Sequence, residues 1–121
     1  MGASFKDLVV WQRAVELSLA VYELTSAFPS SEMFGLANQM RRASVSVASN
    51  IAEGYGKSTK GQYLQSLGHA RGSIFEVQTQ LVISEKLKYG KTESYRNAES
   101  LSQEVSRMLV ALMAKLEKLP A

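Results

Sequence analysis

The 121-residue chain contains no cysteine. Disulfide scaffolds, zinc fingers, iron–sulfur clusters and thiol nucleophiles are thereby excluded. A single histidine, His69, removes most metal-site designs. Only two prolines occur, Pro29 and Pro120, and each stands where a helix should end. Alternation of β-branched residues is absent. No apolar run approaches the roughly 18 residues of a membrane span, so no membrane partner is expected. The first residues lack a basic region followed by a sustained apolar segment, and no signal peptide is expected. Met1, Gly2 and Ala3 superficially match a myristoylation pattern, but Lys6 stands where that pattern wants Ser or Thr. The cytoplasm is the default location.

What is present belongs to a folded domain. Hydrophobic residues make up 45% and charged residues 21%, ordinary for one globular unit that buries its own core. The net charge of +3 is modest for a monomer. In a ring of several copies the fields would add, so oligomeric state bears on function.

A 3.6-residue apolar pattern appears four times, over about residues 7–27, 32–53, 60–87 and 93–119. Short links between them predict an all-α, antiparallel up-down-up-down four-helix bundle. In the first helix Val10, Ala14, Leu17, Val21, Leu24 and Phe28 form a packing seam. Ser4 and Asp7 offer a capping-box start, and Pro29 closes the element. A second apolar flank carries Leu8, Trp11, Val15, Leu19 and Tyr22. Either the bundle wraps this helix deeply, or the flank, with Trp11, meets another subunit.

The second helix starts near Glu32 or Leu36. Its stretch QMRRASVSVASNIAEG (residues 39–54) carries two stripes. Leu36, Met40, Ala43, Val47 and Ile51 are apolar, whereas Gln39, Arg42, Ser46, Asn50 and Glu53 form a polar row beside them. The run GYG (residues 54–56) is expected to end the helix, with glycine supplying a left-handed cap, and Thr59 with Gln62 to form a capping box for the third helix. In that helix Leu64, Leu67, Ile74, Phe75, Leu81 and Val82 should face inward, with Arg71 entering the apolar half. Gln62, Gln65, Ser66, His69, Ser73, Glu76 and Gln80 should make its polar side. Thr92 is the expected N-cap of the fourth helix, whose seam is Leu101, Val105, Met108, Leu112, Leu116 and Leu119. Its Arg96, Glu99, Glu104, Arg107, Lys115 and Glu117 read as a solvated face.

Catalytic patterns fail one by one. A di-metal carboxylate bundle needs Glu-x-x-His on two helices, yet Ser66 stands three before His69. The run GYGKS (residues 54–58) ends like a P-loop, but Ile51 replaces the earlier glycine and a helix precedes it. No nucleophile has an adjacent base. The expectation is a non-enzyme without cofactor.

Certain runs are more specific. They are FKDLVVWQRA (5–14), FPSSEMFGL (28–36), the 39–54 stretch, and ARGSIFE (70–76) with Gln80 and Leu81, and the resemblance they carry extends over nearly the whole chain. Together they closely resemble the four-helix-bundle family named for proteins encoded in intervening sequences of bacterial 23S ribosomal RNA genes. The resemblance implies a bacterial antiparallel bundle that assembles as a homopentamer with a central channel. The accessory protein of diversity-generating retroelements is similar; there a basic pentamer binds nucleic acid and the reverse transcriptase. Five copies at +3 each would carry about +15, enough to attract RNA or DNA by counterion release.

Two roles for the polar row follow. Arg42 contacts phosphate, or it pairs with Glu76 or Glu53 while Ser46, Asn50 and Ser73 hydrogen-bond between helices or subunits. Three of the five row residues are neutral, which favours the structural role. Gln39, Arg42, Ser46, Asn50, Glu53, Ser73, Glu76 and Trp11 are thus expected in a polar network or subunit interface. Arg41, Lys57 and Lys60 are expected to meet nucleic acid; a protein scaffold without that role is the alternative.

Overall fold

A computed structural model describes residues 4–121, so the myristoylation-like start at Gly2 lies outside the described residues. Four long helices, α1 (Val9–Thr25), α2 (Leu36–Tyr55), α3 (Lys60–Lys86) and α4 (Thr92–Glu117), form the bundle. No strand occurs among the described residues. No described helix is long and apolar enough to cross a membrane. Each helix packs against its two chain neighbours in a closed square, α1 against α4 completing it.

Side-chain pairs set the direction of the helices. Ser46 meets Ser73, while further along α2 Gly54 lies against Tyr63 and Ser66. Rising numbers on α2 therefore meet falling numbers on α3. Arg41 reaches Thr25 at the end of α1, and Lys60 at the start of α3 bonds the Leu119 carbonyl after α4. The bundle is antiparallel throughout.

The capping box at Ser4 forms, with the Ser4 N–H donating to Asp7 at 3.0 Å. It closes a 3-10 turn, Phe5–Asp7, rather than α1 itself. Leu8 is extended, and α1 begins after it. A second 3-10 turn, Ser30–Glu32, precedes α2. The Glu32 carboxylate then accepts the Leu36 N–H at 3.2 Å, so a side chain satisfies one free donor at the start of α2.

Gly54 is not a left-handed cap. It lies inside α2, where an added Cβ would stand 2.9 Å from the Ser66 Cβ and 2.9 Å from the Tyr63 ring. Its smallness lets α2 and α3 approach. The helix ends at Gly56, whose φ of −82° is ordinary. The left-handed cap occurs instead after α3, at Lys88 (φ 59°). There the Tyr89 N–H bonds Ser84 O and the Lys88 N–H bonds Glu85 O, each at 2.9 Å, a Schellman closure. Thr59 caps α3, accepting the Gln62 N–H at 3.1 Å, but the expected box is only half made, since the Gln62 side chain meets the Ser58 hydroxyl at 3.4 Å instead. Thr92 does not cap α4; Lys91 holds that position without a side-chain bond.

The core matches the expected seams of α1 and α2, with Leu17, Val21, Leu24, Met40, Val47 and Ile51 fully buried. On α3 the buried face is rotated from expectation. Phe75 and Val82 are 49% and 45% exposed, whereas Ser66, Ser73 and Ser84 are buried. Arg71 stays at the surface, its guanidinium 5.3 Å from the Phe75 ring centre. On α4 the innermost row is Ala98, Ser102, Val105 and Leu109; Leu101, Met108, Leu112 and Leu116 are half-buried and Leu119 is exposed. Glu104 is no mere solvated charge, since Arg13 on α1 bonds it at 2.7 Å.

Candidate functional site

Two of the polar-row residues, Ser46 and Asn50, do cooperate with Ser73 of α3. Ser46 and Ser73 hydroxyls lie 2.9 Å apart, and the Asn50 amide donates to the Ser46 hydroxyl at 3.0 Å and to the Ser46 carbonyl at 2.9 Å. Ser73 is buried, Ser46 and Asn50 half-buried. Gln39, Arg42, Glu53 and Glu76 are exposed. Arg42 pairs with neither Glu53 nor Glu76; it has no hydrogen-bond or ion-pair partner among the described residues. Glu53 instead sits 3.6 Å from Lys57. Arg42, Glu76, Gln39 and Gln80 do share one groove of about 360 Å³ between α2 and α3. The Gln80 side-chain oxygen there is buried without a donor.

The three expected basic contacts are all engaged within the chain. Lys60 bonds the Leu119 carbonyl at 2.7 Å, and Lys57 faces Glu53. Arg41 is not the free solvent-facing cation expected. Its Nε donates to the Thr25 hydroxyl at 2.8 Å, and its guanidinium lies 4.7 Å from the centre of the Tyr22 ring. Thr25 is fully buried and donates its own proton to Val21 O at 2.8 Å, so its lone pair is fixed toward Arg41. Trp11 is half-buried and packs edge-to-face on Phe5 at 5.2 Å, while Leu19 and Tyr22 on its flank are 65% and 45% exposed.

These contacts build a hollow that was not read from sequence. About 470 Å³ in volume, it lies between α1 and α2, lined by Tyr22, Asn38, Arg41, Arg42, Val45 and Ser46. No carboxylate lines it. Residues 22 and 41 meet only because α1 and α2 are antiparallel, and nothing local in either helix announces the pairing.

A smaller hollow of about 270 Å³ lies at the α3–α4 turn, around Glu85, Lys91, Tyr89 and Tyr95. Desolvation first, then the hydrogen bond to Glu99, pushes the Tyr95 phenol up to about 12 from its ordinary 10.0. Folding thus favours the protonated phenol. Its contribution to stability is complete below about pH 10 and is lost as pH rises through about 12. Urea midpoints measured across that window should fall, and Tyr95→Phe should flatten much of the fall. An unchanged slope in the variant would place the alkaline sensitivity elsewhere.

Among the described residues, no three His, Asp or Glu side chains converge on one point. The sequence model of the 23S rRNA-intervening sequence proteins matches residues 6–111. The chain belongs to that family. A crystal structure of a protein of unknown function from the S23 ribosomal protein family, from Bacteroides thetaiotaomicron, is similar in fold. It superposes with a TM-score of 0.79 over 86% of this chain and 97% of that one, at 19% sequence identity. Comparison with curated proteins gives no match. For this intervening-sequence protein, family and fold are therefore established together, by different comparisons.

Proposed function

We propose that this intervening-sequence protein is a non-catalytic subunit of a homo-oligomer, a pentamer on the family resemblance, whose combined surface attracts nucleic acid. The observation that carries this reading is how few of its cations are neutralised. Of 14 Lys and Arg residues, only Arg13 and Lys57 stand within 4.0 Å of a carboxylate among the described residues. Unpaired surface cations are what a polyanion exchanges for its counterions. Leu19, exposed beside Asn97 and Leu101 at the α1–α4 seam, supports burial of that side against another copy.

Purified protein should retard labelled RNA or DNA in a gel, with affinity falling steeply as salt rises. Light scattering should give a mass near five times that of one chain. Absence of retardation at low salt would overturn the nucleic-acid reading, and a monomer would overturn the assembly.

A second reading, a scaffold for a protein partner, is favoured by Phe34. This ring is 97% exposed on the α1–α2 connection, where no intramolecular packing accounts for it. Capture of one defined protein by the wild type and not by Phe34→Ala, with no effect of nucleic acid, would support the scaffold.

A further inference from the structure

We infer that the hollow between α1 and α2 receives one nucleotide of a single-stranded nucleic acid, with its base against Arg41 and its phosphate at Arg42. This deepens the nucleic-acid reading above and rests on it. Three observations converge. First, the volume of about 470 Å³ lies within the roughly 300–1,000 Å³ of small-ligand pockets, enough for a base and not only a phosphate oxygen. Second, Arg41 is held in advance. The buried Thr25 hydroxyl accepts a hydrogen bond from its Nε, and the Tyr22 ring covers one side of the guanidinium. Its terminal nitrogens have no acceptor among the described residues, and a planar guanidinium stacks on a base as well as on an aromatic ring. Third, Arg42 on the rim is exposed and unpaired, and no carboxylate lines the hollow to compete with a phosphate.

The chemistry distinguishes this site from its neighbours. The α2–α3 groove on the other side of Arg42 contains Glu76, which repels phosphate. The turn between α2 and α3 offers Lys57 and Lys60, already held by Glu53 and the Leu119 carbonyl. A duplex keeps its base faces stacked inside, so no base face could lie against Arg41 and Val45. A single strand can turn one base into the hollow, where sequence-tolerant stacking adds to the phosphate contact.

The test compares a labelled single-stranded oligouridylate with a duplex of equal length, by fluorescence anisotropy over a salt series. The wild type should prefer the single strand. Arg42→Ala should weaken binding about tenfold and reduce the salt slope by about one. Arg41→Lys keeps the charge but loses the plane; it should weaken the single strand about tenfold with the slope unchanged. Elution volume and melting temperature of both variants should match the wild type. Lys57→Ala combined with Lys60→Ala should change affinity less than threefold. If the lysine pair abolishes binding and the arginine variants do not, the site inference falls while the nucleic-acid reading stands. Equal affinity for duplex and single strand also overturns the site. A changed elution volume for Arg42→Ala assigns that residue to a subunit joint and overturns it too. No binding of either probe by the wild type overturns both readings.

Discussion

Gly90→Ala should unfold roughly 10 °C below the wild type, the largest effect expected from any single added methyl group. Gly90 has φ 79°, a left-handed conformation in which a Cβ is strained whatever the space around it. The space is also taken. An added Cβ would stand 2.5 Å from the Leu24 Cδ1, 3.2 Å from the Leu24 carbonyl oxygen and 3.2 Å from the Phe28 ring. The Leu24 methyl can rotate away, but the carbonyl belongs to the last turn of α1 and cannot. Backbone strain and overpacking together cost about 2–4 kcal/mol. For a domain of this size each kcal/mol moves the midpoint by roughly 4 °C. Circular dichroism melting checks it, and an unshifted midpoint would mean that the α3–α4 turn does not rest on α1. Lys88 is left-handed too, at φ 59°, yet its side chain is exposed and has room.

Ile51→Ala should cost about 2–5 kcal/mol, because the side chain is fully buried and its removal leaves a cavity as well as lost burial. Its neighbour gives the contrast. Asn50→Ala removes two hydrogen bonds to Ser46, both partly open to solvent, and should cost about 0.5–1.5 kcal/mol. Urea unfolding of the two variants separates the stripes of α2: the apolar row supplies stability and the polar row supplies orientation. If Asn50→Ala proves as damaging as Ile51→Ala, the Asn50–Ser46–Ser73 chain holds the bundle together. Loss of the Ser46 hydroxyl contact would then also loosen the α2–α3 crossing, where Gly54 allows the closest approach.

The rotated face of α3 shows where reading by polarity goes astray. Phe75 is large and apolar, so hydrophobicity places it inside; it lies at the surface with Arg71 near its ring. Ser66 and Ser73 are polar, so hydrophobicity places them outside; they are buried because the crossing with α2 needs small side chains. A hydroxyl makes this inexpensive, since it bonds within its own helix or across to its neighbour. Ser84 donates to Leu81 O and Ser102 to Glu99 O, at 2.9 and 2.8 Å, so neither is left unsatisfied when buried. Size outweighs polarity wherever two helices approach this closely.

The candidate site divides in the same way. Arg42 and the Ser46–Asn50 row were legible, because they recur on one face of one helix. The in-chain partners expected for Arg42 did not form, and Arg41 turned out to be anchored on Tyr22 and Thr25. Those two partners lie on α1, and the contact depends on the vertical offset between the helices.

Four periodic apolar rows, their capping residues and the short links between them dictate a four-helix bundle, since period and chain continuity are local properties. The assignment of Gly54 to a helix crossing, the left-handed Lys88 and Gly90, and the union of Tyr22 with Arg41 and Arg42 are of another kind. They depend on how far each helix slides and turns against its neighbour. That slide and turn is settled by close packing of side chains distant in sequence, and no one helix specifies it.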